Sequence, residues 1–187
     1  MKKACLCVIA AGLLTGCSVD SQPYPRYWPP MVMNQADCPD LTGRYQINND
    51  GCEGHQCASL PDQFPQSFWP GWPLARDLRE VELQGPREGQ LMIHYPAADG
   101  GPGKRFTLQR GTDFQCESNQ MVLEKLGNFV AGDGAIAHRS AMRRYFSRTV
   151  DGSLVMRETG SVGGIFFLFI PLYLSSETWT RWAPSGK

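Results

Sequence analysis

From Leu78 onward, apolar residues recur at every second position between clusters of glycine and proline. Val81 and Leu83 alternate with Glu80 and Glu82, Leu91, Ile93 and Tyr95 with Met92 and His94, and Phe106 and Leu108 with Thr107 and Gln109. A period of two is what a strand with one buried face requires, and a helix, with its period of 3.6, cannot use it. Turns rich in Gly and Pro at residues 85–89 and 96–104 separate these runs. A strand through Phe114 and Cys116 then turns at Glu117-Ser118-Asn119 and returns from Gln120 to Leu126, and residues 127–137 form a glycine-rich loop. His138–Val150 and Ser153–Thr159 flank Asp151-Gly152. That dipeptide accepts the positive φ angles of a two-residue type I′ hairpin turn. Residues 138–145 also fit a helical turn, and a last strand is expected from about Leu172 to Trp182. Upstream, Gly43 to Asn48 places Tyr45 and Ile47 on one face and Arg44 and Gln46 on the other. The fold class predicted is all-β, an antiparallel up-and-down meander of about eight strands curling into a barrel-like form. Closure would remove the exposed edges that invite aggregation. A β-sandwich uses the same strand pattern and is the alternative.

The start of the chain has a different character. Lys2 and Lys3 precede an apolar run from Ala4 to Leu14, too short to span a bilayer, which takes about 20 residues. A charged start followed by such a run reads as a signal segment over residues 1–16. Leu14-Thr15-Gly16-Cys17 then resembles the lipobox of bacterial lipoproteins, with leucine at the third position before the cysteine. The resemblance implies cleavage before Cys17 and attachment of a diacylglycerol and an N-acyl chain to it. Three acyl chains hold a protein on a membrane effectively permanently, since each buried methylene contributes about 0.8 kcal/mol. Ser18 follows the cysteine in place of the Asp that retains such proteins at the inner membrane, so the resemblance implies the outer membrane, facing the periplasm.

Residues 17–37 are expected to be the lipidated cysteine and a proline-rich, largely extended tether, containing Pro23, Pro25, Pro29 and Pro30. Tyr24, Tyr27 and Trp28 within it suit either the lipid headgroups or a return onto the domain. A single β domain is expected over 38–187. Loss of Lys2 and Lys3 from a balanced 18 basic and 18 acidic residues leaves a formal charge of −2. Such a chain projects no field that would draw nucleic acid.

Cys38, Cys52, Cys57 and Cys116 remain for the mature domain, and an even number in an oxidising compartment argues for two disulfides. Of the three pairings, Cys52–Cys57 with Cys38–Cys116 is favoured, the first pair being close in sequence and flanked by glycines. Cys52, His55 and Cys57 lack a second pair of ligands at a metal-binding spacing, so no metal and no dissociable cofactor is expected.

Residues 49–77 are a long aromatic-rich loop in which Trp69-Pro70-Gly71-Trp72 suits either a lid over the core or a contact for a bound partner. Gly163 to Leu174, with Phe166, Phe167 and Phe169, is the most apolar stretch after the signal segment. It fits a hairpin buried on both faces, or an exposed loop that meets lipid or a membrane partner. The histidines His55, His94 and His138 fall in no catalytic or metal motif, and Asp113, Glu124 and Glu158 lie on different strands. Arg143, Arg144 and Arg148 read as a solvated strand face. Gly43-Arg44-Tyr45 with the late Arg181 resembles the lipocalin arrangement of a first-strand Gly-x-Trp beneath an arginine, with Tyr45 in the tryptophan's place. That likeness bears on fold and brings no ligand with it. The function expected is therefore a non-enzymatic lipoprotein whose β domain binds an envelope partner or a small apolar ligand. A protein-interaction or enzyme-inhibitor module is the alternative, and an envelope hydrolase ranks third.

Overall fold

Each of the alternating runs forms a strand in the computed structural model, which describes residues 17–33, 37–48, 51–53, 59–64, 78–97, 101, 103–126, 130–131, 136–166 and 170–186. The strands are β1 (Cys17–Asp20), β2 (Gly43–Gln46), β3 (Gly51–Glu53), β4 (Glu80–Arg87), β5 (Gln90–Tyr95), β6 (Lys104–Gln109), β7 (Gln115–Glu117), β8 (Gln120–Leu126), β9 (Val130–Ala131), β10 (Ile136–Arg148), β11 (Leu154–Phe166) and β12 (Ile170–Trp182). One 3₁₀ turn, Leu60–Gln63, is the helical element among the described residues. Two compact units emerge: Gln22–Glu124, Arg143–Glu158 and Thr178–Lys187 in the larger, Met1–Ser21, Lys125–Met142 and Thr159–Glu177 in the smaller. The long strands β10, β11 and β12 contribute residues to both.

The larger unit is a sandwich of two antiparallel sheets. One has the order β2-β4-β5-β6, and the other is built from β7, β8 and the portions of β10, β11 and β12 in this unit, with β3 along β12. The barrel-like meander expected from the sequence is not what forms, because the sheets do not close into one ring. After Trp182 the chain leaves β12 and meets the edge of β2 only locally, through Gln46 N–H to Ala183 O at 3.0 Å and Ser185 N–H to Arg44 O at 2.7 Å. The sandwich alternative is the architecture adopted.

Strand alternation fills the space between the sheets. Tyr45, Val81, Leu83, Leu91, Ile93, Tyr95 and Leu108 from one sheet meet Met121, Leu123, Phe146, Leu154, Met156 and Trp182 from the other in one core. Phe64, following the 3₁₀ turn, stacks on Phe146 at 5.6 Å between ring centroids. Arg144 and Glu158 face the same way as Phe146 and Met156 and pair at 2.7 Å, while an Arg144 Nη1 hydrogen donates to Gln63 O at 2.7 Å.

Tyr45 is completely buried, and its hydroxyl donates to Leu41 O at 2.9 Å, pinning the chain that enters β2. Burial pushes its phenol up to about 12. A Cβ on Gly43 would lie 2.8 Å from the Tyr45 hydroxyl oxygen, so glycine makes room for this contact. Tyr45→Phe strands a buried carbonyl and is expected to cost about 1–3 kcal/mol in urea unfolding. Gly43→Ala is expected to destabilise as well, by displacing the ring; an unchanged midpoint in both variants would show the hydroxyl to be dispensable.

The second sheet's outer face is covered by the stretch read from sequence as a tether. Trp28 is 5% exposed and packs with Val155 and Trp179, joined by Tyr24 and Met31. Backbone bonds fix the path: Val32 N–H to Arg148 O at 2.7 Å and Val150 N–H to Pro30 O at 3.0 Å. Trp179 Nε1 donates to Gln22 O at 2.8 Å. Of the two settings open to the aromatic residues, the packed one holds for Trp28, whereas Tyr27 is exposed. Prolines suit such a covering segment because each lacks a donor that would otherwise need a partner.

In the smaller unit, β1 runs parallel to β12 with Cys17 opposite Tyr173 and Asp20 opposite Ser176. β9 pairs with the start of β10, Ala131 opposite Ala137. Residues 17–20 are thus a strand rather than part of a free leash.

Candidate functional site

The Cys17 end of the smaller unit brings together the two sequence features with the most functional content. Cys17 opens β1, and its register partner Tyr173 lies in the apolar stretch that ends β11 and begins β12. Tyr173 and Leu174 are 49% and 50% exposed, and Val162 on β11 is 38% exposed. Successive strand residues point to opposite faces. This end of the sheet therefore presents apolar groups on both faces at Tyr173 and Leu174, where burial on both sides does not hold; the side chains of residues 165–172 lie outside what is described. Leu154–Met156 of β11 is buried on both faces, with the core on one side and Trp28 on the other. Phe166 ends β11, and Phe167 and Phe169 lie outside the described residues. Trp69, Trp72, His55 and Cys57 also lie outside them. Tyr173, Leu174 and Val162 escaped the sequence reading as site residues because a parallel pairing across more than 150 positions leaves no local signal.

Cys38 and Cys116 are joined as a disulfide with their Cα atoms 5.2 Å apart, as the favoured pairing predicts. Cys52 is placed in β3, opposite Thr180.

Several of the remaining candidate groups are held in pairs. The basic cluster is divided by strand alternation: Arg143 reaches Glu117 at 3.4 Å and Glu124 at 3.6 Å on one face, while Arg144 turns to Glu158 on the other. Asp113 accepts the Gln109 N–H at 2.7 Å. His94 Nδ1 lies 3.1 Å from Glu82 on the outer face of the four-stranded sheet, and that contact holds the Glu82 carboxyl below the usual range. Among the described residues no three His, Cys, Asp or Glu side chains gather as metal ligands would. Arg181 points away from Tyr45: its Nη2 donates to Asp151 at 3.0 Å and its Nε to the Ser153 hydroxyl at 3.2 Å. The lipocalin-like stacking of a late arginine on the first-strand aromatic is therefore not built.

Asp151 organises the β10–β11 turn and borders a surface hollow of about 380 Å³ that Asp40 and Arg148 also line. Partial burial raises its pKa, but hydrogen bonds from Thr149 and Ser153, with the charge of Arg181, outweigh this and leave it lowered. A depressed carboxylate contributes stability that is present above its unfolded pKa, about 3.9, and lost as pH falls through the folded value. Asp151→Asn should therefore melt below the wild type near neutral pH, and the gap should close as the pH drops well below about 4. Melting curves across that range check this; a gap independent of pH would mean that the carboxylate's charge is not what matters.

No protein-family model matches the chain, and neither a curated protein nor a solved structure is matched by it.

Proposed function

We propose that the protein is an outer-membrane lipoprotein, held by acyl chains on Cys17 and facing the periplasm, whose β-sandwich is a non-enzymatic module that binds a protein partner of the cell envelope. The observation that carries the reading is the Leu14-Thr15-Gly16-Cys17 sequence at the head of the chain, with Cys17 opening a strand of the folded part. Titratable groups in the larger unit that are committed to paired structural contacts support a binding role over a catalytic one. A protein partner is favoured over an internal apolar ligand because Trp182, Tyr45, Tyr95, Phe64 and Phe146 fill the space between the sheets, each less than 2% exposed.

Mass spectrometry of the protein purified from membranes tests the anchor. The expected product begins at Cys17 with the mass of the lipid on that residue, and Cys17→Ser abolishes the modification. A mature chain beginning elsewhere, with an unmodified thiol, overturns it. Crosslinking in whole cells is expected to trap an envelope protein on the sandwich. A stoichiometric apolar molecule released on denaturation would favour the ligand-binding reading instead.

A further inference from the structure

We infer that the sheet end formed by β1, β11 and β12 enters the lipid layer itself, so that the protein holds the membrane by a protein tip as well as by its acyl chains. The inference rests on the lipobox reading of Cys17, which identifies what lies against this surface. With Cys17 opposite Tyr173, the acyl chains leave the protein beside the exposed side chains of Tyr173 and Leu174. An apolar group on each face of one strand cannot be covered by a single flat partner, whereas a fluid hydrocarbon layer surrounds both.

Charge and backbone agree with this occupant. The sequence carries no Asp, Glu, Lys or Arg from Thr159 to Ser176, Glu158 and Glu177 bound that stretch, and the charged residue of β1, Asp20, is opposite Ser176, beside Glu177 at the water end. Glu177 accepts a hydrogen bond from the Ser21 hydroxyl at 3.2 Å. It stands four positions after Tyr173, about 13 Å along the strand. That exceeds the roughly 5–8 Å of headgroup region on each side of a bilayer, so the carboxylate stays in water while the tip reaches hydrocarbon. β11 lies between β10 and β12, and β12 between β11 and β1. From Tyr173 on, the backbone of β12 therefore has a strand neighbour on each side, which lowers the cost of entry into hydrocarbon.

The test uses the membrane-purified full protein in phosphatidylethanolamine–phosphatidylglycerol vesicles containing a photoactivatable phospholipid whose reactive group lies in the acyl region. Mass mapping is expected to find lipid adducts at Val162, Tyr173 and Leu174. Leu174→Lys places a charge at an exposed position and should lower the labelling of Val162 and Tyr173 about tenfold, while the acyl chains keep the protein on the vesicles. Absence of adducts at these residues, or crosslinks there between two copies of the chain, overturns the inference. The wild-type map decides even if the variant fails to fold. The same spectra report the state of Cys17. An acylated protein with an unlabelled tip leaves the anchor standing and removes the tip. A labelled tip on an unacylated chain removes the anchor and keeps the tip.

Discussion

Replacing Cys38 and Cys116 together by serine is expected to lower the unfolding free energy by about 4.5 kcal/mol, the loop-closure value for a bridge spanning 78 residues. The closed loop contains β2, β4, β5 and β6 entire, so without the bond the unfolded chain regains the freedom to separate the four-stranded sheet from β7. Both cysteines pack against the main core, and the smaller, more polar serines also give up that contact. Domains of this size are usually stable by about 5–15 kcal/mol, so the loss is a large fraction of the whole. Urea unfolding of the double variant and of the wild type, each with and without reductant, measures it. Reductant should move the wild type toward the variant, and any shift it causes in the variant itself measures the Cys52–Cys57 bridge expected from the sequence. Coincident midpoints for variant and oxidised wild type would mean that the denatured chain is already compact enough for the bond to constrain nothing.

Much of this fold is legible in the sequence, and the reasons for success and failure are local. β4, β5 and β6 follow their alternation because each buries one face, so Val81, Leu83, Leu91, Ile93 and Tyr95 all point inward as the period of two dictates. Turn chemistry was less transparent. Asp151-Gly152 does not form a two-residue type I′ turn: Gly152 alone has positive φ, at 88°, and the Thr149–Ser153 pairing encloses a three-residue loop with the Asp151 carboxylate bound inside it. The positive-φ pair of a type I′ turn falls instead at Ser118-Asn119, where φ is 50° and 61° between β7 and β8. The competing force was the side chain of Asp151, which takes hydrogen bonds that a tighter turn would leave unmade.

Barrel and sandwich differ in which strands pair, and alternation reports only which face of a strand is buried. The site was legible in its parts and not in its assembly. Cys17 and the Gly163–Leu174 stretch each stand out by composition, but the β1–β12 pairing that unites them is set by tertiary contacts. The sequence does not decide the docking of Trp28 for a similar reason: an aromatic residue among prolines satisfies a headgroup layer and a protein groove equally well, and only the groove's shape decides. Part of that shape is Gly51 in β3, where a Cβ would stand 3.0 Å from the Trp28 ring.

Trp28→Ala is expected to cost about 3–5 kcal/mol and to release the segment that covers the second sheet. The indole is 5% exposed, meets Tyr24 edge-on at 5.8 Å and packs with Val155 and Trp179. Its removal leaves a cavity that the segment cannot refill, because Pro29 and Pro30 stiffen the chain just beyond. The Arg26–Tyr27 bond offers a local readout, both residues being exposed beside the anchoring indole. Trypsin should cut there several-fold faster in the variant, under conditions in which the sandwich, closed by its own core and by Cys38–Cys116, stays folded. Tyr27→Ala is the matched control: that ring is 74% exposed, and its loss should change unfolding by no more than about 0.5 kcal/mol. If Trp28→Ala weakens global unfolding without speeding the cut after Arg26, the hydrogen bonds from Val32, Val150 and Trp179 hold the segment by themselves, and the indole serves only the sheet beneath it.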